Sequence, residues 1–191
     1  MQTIEGSICG VTSLLQHRFA ETNEVDPATR TIVQNRGTPR EQAESVVYRN
    51  GDHFFFPGTW IAGAITEAGG SHKLRGSRKS AKYVVPAAVR VKEIEIPICN
   101  GDGKSLAKDF EVDSRPVTIP ATKGKIMRHR PRFDHWSAKF TITINDKLLP
   151  EDFVQQLLTE AGEQQGIGDF RPNKRGPFRC FRIVSWARVK D

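Results

Sequence analysis

The chain has 191 residues and a mass of 21.4 kDa, the size of one domain with room for insertions. With 37% hydrophobic and 27% charged residues it has globular composition, which excludes a fully disordered chain. The formal charge is +7 and the pI is near 9.5, but the basic excess is unevenly spread. Residues 71–92 hold seven Lys or Arg and no acid. Residues 120–140 hold six and one acid, and residues 165–191 hold seven and two acids. Together these segments carry +17, so the rest of the chain carries −10. Such polarisation fits a binder of a polyanion; three solvated basic loops are the alternative reading.

Cys9, Cys99 and Cys180 are widely spaced and odd in number, so neither a disulfide framework nor a zinc knuckle is expected. The start, Met1-Gln2-Thr3-Ile4-Glu5, lacks the basic region of a signal peptide. The longest uncharged apolar stretch, residues 54–66, is too short for a bilayer span. A soluble, cytoplasmic protein without a membrane partner is expected.

Residues 2–9 read as a first strand with Ile4, Gly6 and Ile8 on one face, followed by a short helical or irregular turn over 11–19. Residues 20–45 are polar, with Pro27, Gly37 and Pro39, and read as a long loop. Asn50-Gly51 marks a hairpin between Tyr48 and Phe56. A helix follows over 59–68, with Thr59 as its cap and Trp60, Ile61, Ala64, Ile65 and Ala68 on one apolar face. Gly69-Gly70 is expected to end it through a left-handed turn. Residues 71–82 form a basic loop, 83–98 contain strand-like runs, and 99–120 read as an irregular excursion. Trp136, Ala138, Phe140, Ile142 and Ile144 alternate with polar residues, the pattern of a half-buried strand. Pro150 then opens a helix whose apolar face is Phe153, Val154, Leu157, Leu158 and Ala161, with Gly162 as its stop. A glycine-rich loop over 166–176 leads to a closing strand over 178–189. The head thus reads β–loop–β–α and the tail β–α–loop–β, together an α+β, ferredoxin-like (RRM-like) pattern.

Two tracts carry the candidate chemistry. Lys123, Lys125, Arg128, His129, Arg130 and Arg132 can follow a phosphate backbone, and counterion release would make that binding sensitive to salt. Phe133 and Trp136 stand beside them; the period of the strand places Trp136 in the core. In the second tract, Gly166, Gly168 and Gly176 let the backbone approach a ligand closely, and Arg171, Lys174 and Arg175 add charge to the same loop. Lys73, Arg75, Arg78 and Lys79 in the 71–82 loop, with His17 and Arg18, complete the candidate set for binding a nucleic acid. No histidine falls at HxxxH or HExxH spacing, Gly103-Lys104-Ser105 lacks the first glycine of a Walker loop, and neither a metal nor a cofactor is expected.

The segment Phe56-Pro57-Gly58-Thr59-Trp60-Ile61-Ala62-Gly63-Ala64-Ile65 resembles the Pro-Gly-Ser-aliphatic-basic-Gly-Ala segment of the RAMP superfamily, the RNA-binding subunits of CRISPR effector complexes. The glycine-rich loop, Gly166-Ile167-Gly168 to Gly176-Pro177-Phe178, is similar to that superfamily's loop and occupies the same place before the last strand. Ile4-Glu5-Gly6 to Leu14-Leu15-Gln16-His17-Arg18-Phe19 matches its first strand and the turn after it. The chain also resembles RAMP-like proteins of phage and metagenomic sequence. Thr59 replaces the usual Ser, Ala62 stands where a basic residue is common, and no aromatic RNP signature is present.

The resemblance implies a single RAMP-like domain over residues 1–191. It has a ferredoxin-like palm and insertions near 20–45 and 99–132, as long loops or a thumb-like hairpin. It implies a non-catalytic subunit that binds single-stranded guide RNA and oligomerises along it as a homo-oligomer or filament, with other effector subunits as further partners. Acidic residues Glu151, Asp152, Glu160 and Glu163 are candidates to face a neighbour's basic tract; an ordinary solvated helix face is the alternative. Two other readings remain. One is a RAMP-type endoribonuclease using His17, His53, His129 or Asp26. The other is a phage single-stranded DNA-binding or assembly protein.

Overall fold

The computed structural model describes residues 1–19, 37–74, 76–118, 123–172, 176–178 and 180–189. Its first strand, β1 (Gln2–Gly10), lies between two strands from the last third of the chain. On one side is β10 (Trp136–Ile144), paired antiparallel from Gln2↔Ile144 to Cys9↔Ser137. On the other is β11 (Phe181–Arg188), also antiparallel, with a register shift between Ser7 and Ile8. The short strand β5 (Val89–Val91) flanks β10, giving the order β11-β1-β10-β5, and β7 (Cys99–Asn100) pairs with the start of β10. All these pairings are antiparallel, so the molecule is a mixed α and β fold with antiparallel sheets.

The expected alternation of β1 and β10 holds. Ile4, Ile8, Ala138, Phe140, Ile142 and Ile144 are buried on one face, against α2 (Thr59–Ala68) and α4 (Glu151–Glu160). α2 contributes Ile61, Ala64, Ile65 and Ala68; α4 contributes Val154, Leu157 and Leu158. Burying a side chain of this size stabilises by about 1.5–3 kcal/mol, so this layer is a large part of the driving force. The opposite face of the sheet shows Thr3, Glu5, Ser7, Lys139, Thr141 and Thr143, and none of these is aromatic. Trp136 is fully buried and its Nε1 donates to the Thr12 carbonyl at 2.9 Å, as a core tryptophan requires.

Two smaller sheets hang from this layer. One is β2 (Leu14–Leu15), β9 (Lys125–Phe133) and β8 (Glu111–Thr118), in the order β2-β9-β8. The other is β3 (Arg49–Asn50), β4 (His53–Pro57) and β6 (Glu95–Pro97). The β3–β4 hairpin turns at Gly51 with φ +55°, which bears out the Asn-Gly signal. Among the described residues, no helix is long and apolar enough to cross a membrane.

Several local expectations are corrected. Residues 39–45, read as loop, form helix α1 (Pro39–Ser45). Thr38 caps it, with a reciprocal box in which Glu41 Oε2 accepts from the Thr38 N–H at 2.7 Å. The N-cap of α2 is Gly58, without a side-chain bond, rather than Thr59. Gly69 has helical φ and continues the chain into a 3₁₀ turn. It is glycine because a Cβ there would lie 3.0 Å from the Lys82 nitrogen. Gly162 does not stop α4, which runs on through a π turn over Ala161–Gln165; a Cβ would come within 2.3 Å of the Phe181 carbonyl oxygen. The chain turns at Gly166 instead, with φ +64°. Within the supposed irregular excursion, β8 is a regular eight-residue strand.

Candidate nucleic-acid interface

The basic tract from Lys125 to Arg132 lies on strand β9 and pairs with β8, so its side chains alternate between two faces. One face carries Asp113 and Arg115 opposite Arg130 and Arg128. The other places Phe133 against Phe54 and Phe110, with ring centroids 5.4 and 6.1 Å away. Arg40 of α1 closes that side: its guanidinium lies 3.9 Å from the Phe110 ring and donates to the Phe110 carbonyl and to Asp109. The aromatic face therefore belongs to the core, which takes Phe133 out of reach of a stacked base.

The polar face receives the glycine-rich loop. Arg130 is 4% exposed, and its Nε lies 2.8 Å from Oδ2 of Asp169. Burial pushes the Arg130 guanidinium below its ordinary value; Asp169 opposes this, and the group stays charged. Phe170 follows with φ +58°, its ring 5.8 Å from the Arg130 guanidinium and 6.1 Å from the ring of Phe178. Arg115 in turn covers Phe178 at 4.6 Å while its Nε donates to Asp113 at 2.8 Å. The Asp169 N–H donates to the Leu15 carbonyl, fixing the loop to β2. Gly168 has φ +85°, and a Cβ on Gly176 would overlap the Phe170 carbonyl, so both positions require glycine.

His17 joins the same cluster. Its Nε2 accepts from Arg128 Nη1 at 2.9 Å, so the hydrogen-bond network assigns the proton of the neutral ring to Nδ1. Burial, then the Arg128 charge, holds its pKa below the usual histidine range; Asp169 pulls weakly the other way. His129 points to the opposite face of β9 and bonds Ser114 Oγ at 2.7 Å. His53 sits apart, in the β3–β4 hairpin.

An open depression lies where the glycine-rich loop passes α2. Thr59, Trp60, Gly63 and Glu67 form one wall; Gly168, Asp169 and Arg171 form the other. Glu67 Oε1 accepts from Lys82 Nζ at 2.9 Å, which ties the depression to the basic 71–82 loop. Arg130–Asp169 ties it to the β8–β9 hairpin. Two of the three basic segments thus meet α2, the 71–82 loop through Glu67–Lys82 and the glycine-rich loop across the depression, and the third, on β9, reaches it indirectly through Arg130–Asp169.

The candidate residues take different roles within this arrangement. Lys73, Arg78, Lys79, Lys123, Lys125 and Arg18 are exposed, and none has a side-chain partner among the described residues. Arg171 is half-buried on the wall of the depression, also without one. Arg132 is paired with Asp134 at 2.9 Å and Arg130 with Asp169. Arg75, Lys174, Arg175 and Asp26 lie outside the described residues. Two of the four acids considered for a neighbour's basic tract have partners in their own chain. Glu151 accepts from Trp186 and Arg188, and Glu160 meets His72 at 2.6 Å. The sequence reading missed Asp113, Arg115, Asp169, Phe170 and Phe178, which build the docking of loop on hairpin. Asp169, an acid within a cationic glycine-rich loop, was the available signal.

The fold of this chain, an antiparallel β11-β1-β10-β5 sheet backed by two helices, is similar to that of proteins already solved. The chain is similar to one in the cryo-EM structure of the Type III-B Cmr-beta bound to cognate target RNA. The TM-score is 0.59 at 10% identity, over 99% of this chain and 61% of that one. The crystal structure of Cmr6 from Pyrococcus furiosus gives a TM-score of 0.48 at 10% identity, over 94% of this chain and 97% of that one. The first of these likenesses is one of fold, and in that sense it agrees with the resemblance drawn from the sequence. The chain spans about three fifths of the Cmr-beta chain it matches. No family model and no curated protein matches the sequence.

Proposed function

We propose that this chain is a non-catalytic, single-stranded RNA-binding subunit of RAMP type. The observation that carries the reading is that the basic segments reach α2, the 71–82 loop through Glu67–Lys82 and β9 indirectly through Arg130–Asp169 and the glycine-rich loop. The order β1, α2, β5, β10, α4, β11, with β1 and β10 central, supports a ferredoxin-like palm. The β8–β9 hairpin is the natural thumb, since it projects Lys123 and Lys125 from its tip. The likeness to a chain from a complex bound to target RNA supports the choice of ligand.

The strand runs past Lys125, Arg128 and Arg171 and along α2 toward Lys73, Arg78 and Lys79. Arg130 and Arg132, matched by Asp169 and Asp134, hold the loop and hairpin in place instead of meeting phosphate. His17 is a poor candidate acid or base, because Arg128 occupies its Nε2. Copies of the chain, with further subunits, assemble along the same RNA.

Purification without nuclease treatment tests this reading. The expected product absorbs more at 260 than at 280 nm, loses that excess with RNase and not DNase, and becomes smaller as the RNA is digested. A nucleic-acid-free monomer with no salt-dependent RNA binding overturns it, and an RNA cut at a fixed position overturns the non-catalytic part.

A further inference from the structure

Gly63 stands in the interior of α2, where glycine destabilises a helix by roughly 0.5–1 kcal/mol relative to alanine. Its neighbours in sequence explain themselves: at Gly58 and Gly69 a Cβ would press on backbone atoms. At Gly63 a Cβ would meet nothing within 4 Å among the described residues. Among the described residues nothing in the fold requires glycine here, and the space above it is open.

What fits follows from the lining. Thr59, Gly63 and Glu67 are spaced by four and share one helix face. The facing wall contributes Gly168, Asp169 and Arg171. A carboxylate only accepts hydrogen bonds and repels phosphate, so the part of a strand facing Glu67 must donate. Glu67 Oε1 is taken by Lys82; Oε2 has no hydrogen-bond partner among the described residues. The donors on a nucleic acid are the amino and imino groups of the bases and the ribose 2′-hydroxyl. The aromatic ring at the depression, Trp60, already stacks on Phe56 (5.8 Å, 9°) and meets Tyr48 edge-on (5.5 Å), so it is not set out as a base platform.

We propose that the depression between α2 and the glycine-rich loop is a ribose subsite. The sugar lies against Gly63, the Glu67 carboxylate accepts from its 2′-hydroxyl, and Arg171 takes the adjoining phosphate. The chain thereby selects RNA over DNA. This rests on the RNA-binding reading above and adds to it the group that is recognised.

The test is fluorescence anisotropy with one labelled single-stranded sequence, made as RNA, as DNA and as 2′-O-methyl RNA. Wild type is expected to favour RNA over both others by about tenfold or more, as a hydrogen bond to a charged group implies. Glu67→Leu removes the acceptor and brings RNA down to the affinity of DNA. Gly63→Leu fills the space without touching the core, keeps the helical circular dichroism signal and gives the same loss. Lys82→Leu removes the ion pair, leaves the carboxylate and keeps the RNA preference. A preference retained in both Glu67→Leu and Gly63→Leu overturns the subsite while RNA binding stands, as does an equal loss in Lys82→Leu. A wild type that binds DNA as tightly as RNA overturns the subsite alone; one that binds neither overturns the function with it.

Discussion

Arg130 Nε and Asp169 Oδ2 lie 2.8 Å apart, joining strand β9 to the glycine-rich loop through a guanidinium that is almost fully buried. The pair helps fix the loop: among the described residues, the other acid acting on the Arg130 charge is Asp113, whose Oδ1 already accepts from Arg115.

Asp169→Asn leaves that buried charge unmatched. Breaking a fully buried pair costs about 3–5 kcal/mol; because the Asp169 side chain is 37% exposed, a loss of about 2 kcal/mol is expected. The double variant Arg130→Met/Asp169→Leu should recover part of the loss, because it removes both charges. Urea denaturation reads both, and an unchanged midpoint for Asp169→Asn would show that the pair does not hold the loop.

The exposed and the paired cations should separate in salt titrations of RNA binding. Each phosphate contact on a single strand contributes about 0.7 to the slope of log K against log salt. Lys125→Ala and Arg171→Ala should each lower the slope by about that amount. Arg132→Ala, whose guanidinium is matched by Asp134, should change it far less. Equal slopes for all three would mean that the Arg132–Asp134 pair opens on the RNA.

His17 makes stability depend on pH. Its folded pKa lies below 6.5, first because of burial and then because of Arg128, so near that pH the unfolded chain binds more protons. Stability from this group is complete above the unfolded value and falls as pH drops from 6.5 toward the folded value. Between about pH 7.5 and 5.5 the melting temperature should decline, and His17→Asn should flatten that decline relative to wild type. An identical slope in the variant would remove His17 from the account.

Two helical glycines should respond to alanine with opposite signs. Gly63→Ala meets open space and should stabilise by about 0.5–1 kcal/mol through helix propensity alone. Gly162→Ala drives a methyl group toward the Phe181 carbonyl and should destabilise by about 1–3 kcal/mol. Thermal melts decide; a stabilised Gly162→Ala would mean that the π turn gives way easily.

The sequence was readable where hydrophobic period and burial agree. β1, β10, α2 and α4 each carry an apolar face that meets the one core. β8 and β9 escaped because their inward positions hold Asp113 and Arg130, and Pro116 and Pro131 interrupt the runs, so alternation points the wrong way. Helix α1 did leave a signal, Thr38-Pro39-Arg40-Glu41, a capping box with proline at the first position. Gly69 and Gly162 look like stops because sequence does not separate a glycine needed for positive φ from one needed for close packing. Charge clustering found the basic segments of the site; it did not tell Arg130, matched and buried, from Lys125, bare and exposed.

The placement of β1 also sets a timetable. It is one of the two inner strands of the main sheet, yet both its partners, β10 and β11, are made more than a hundred residues later. At roughly 5–20 residues per second the ribosome needs on the order of ten seconds to deliver them. Throughout that interval Ile4 and Ile8 have no sheet to join, and closing so long a loop slows folding further. A chaperone that shields a nascent, unpaired strand should therefore raise the yield of this chain more than its size suggests.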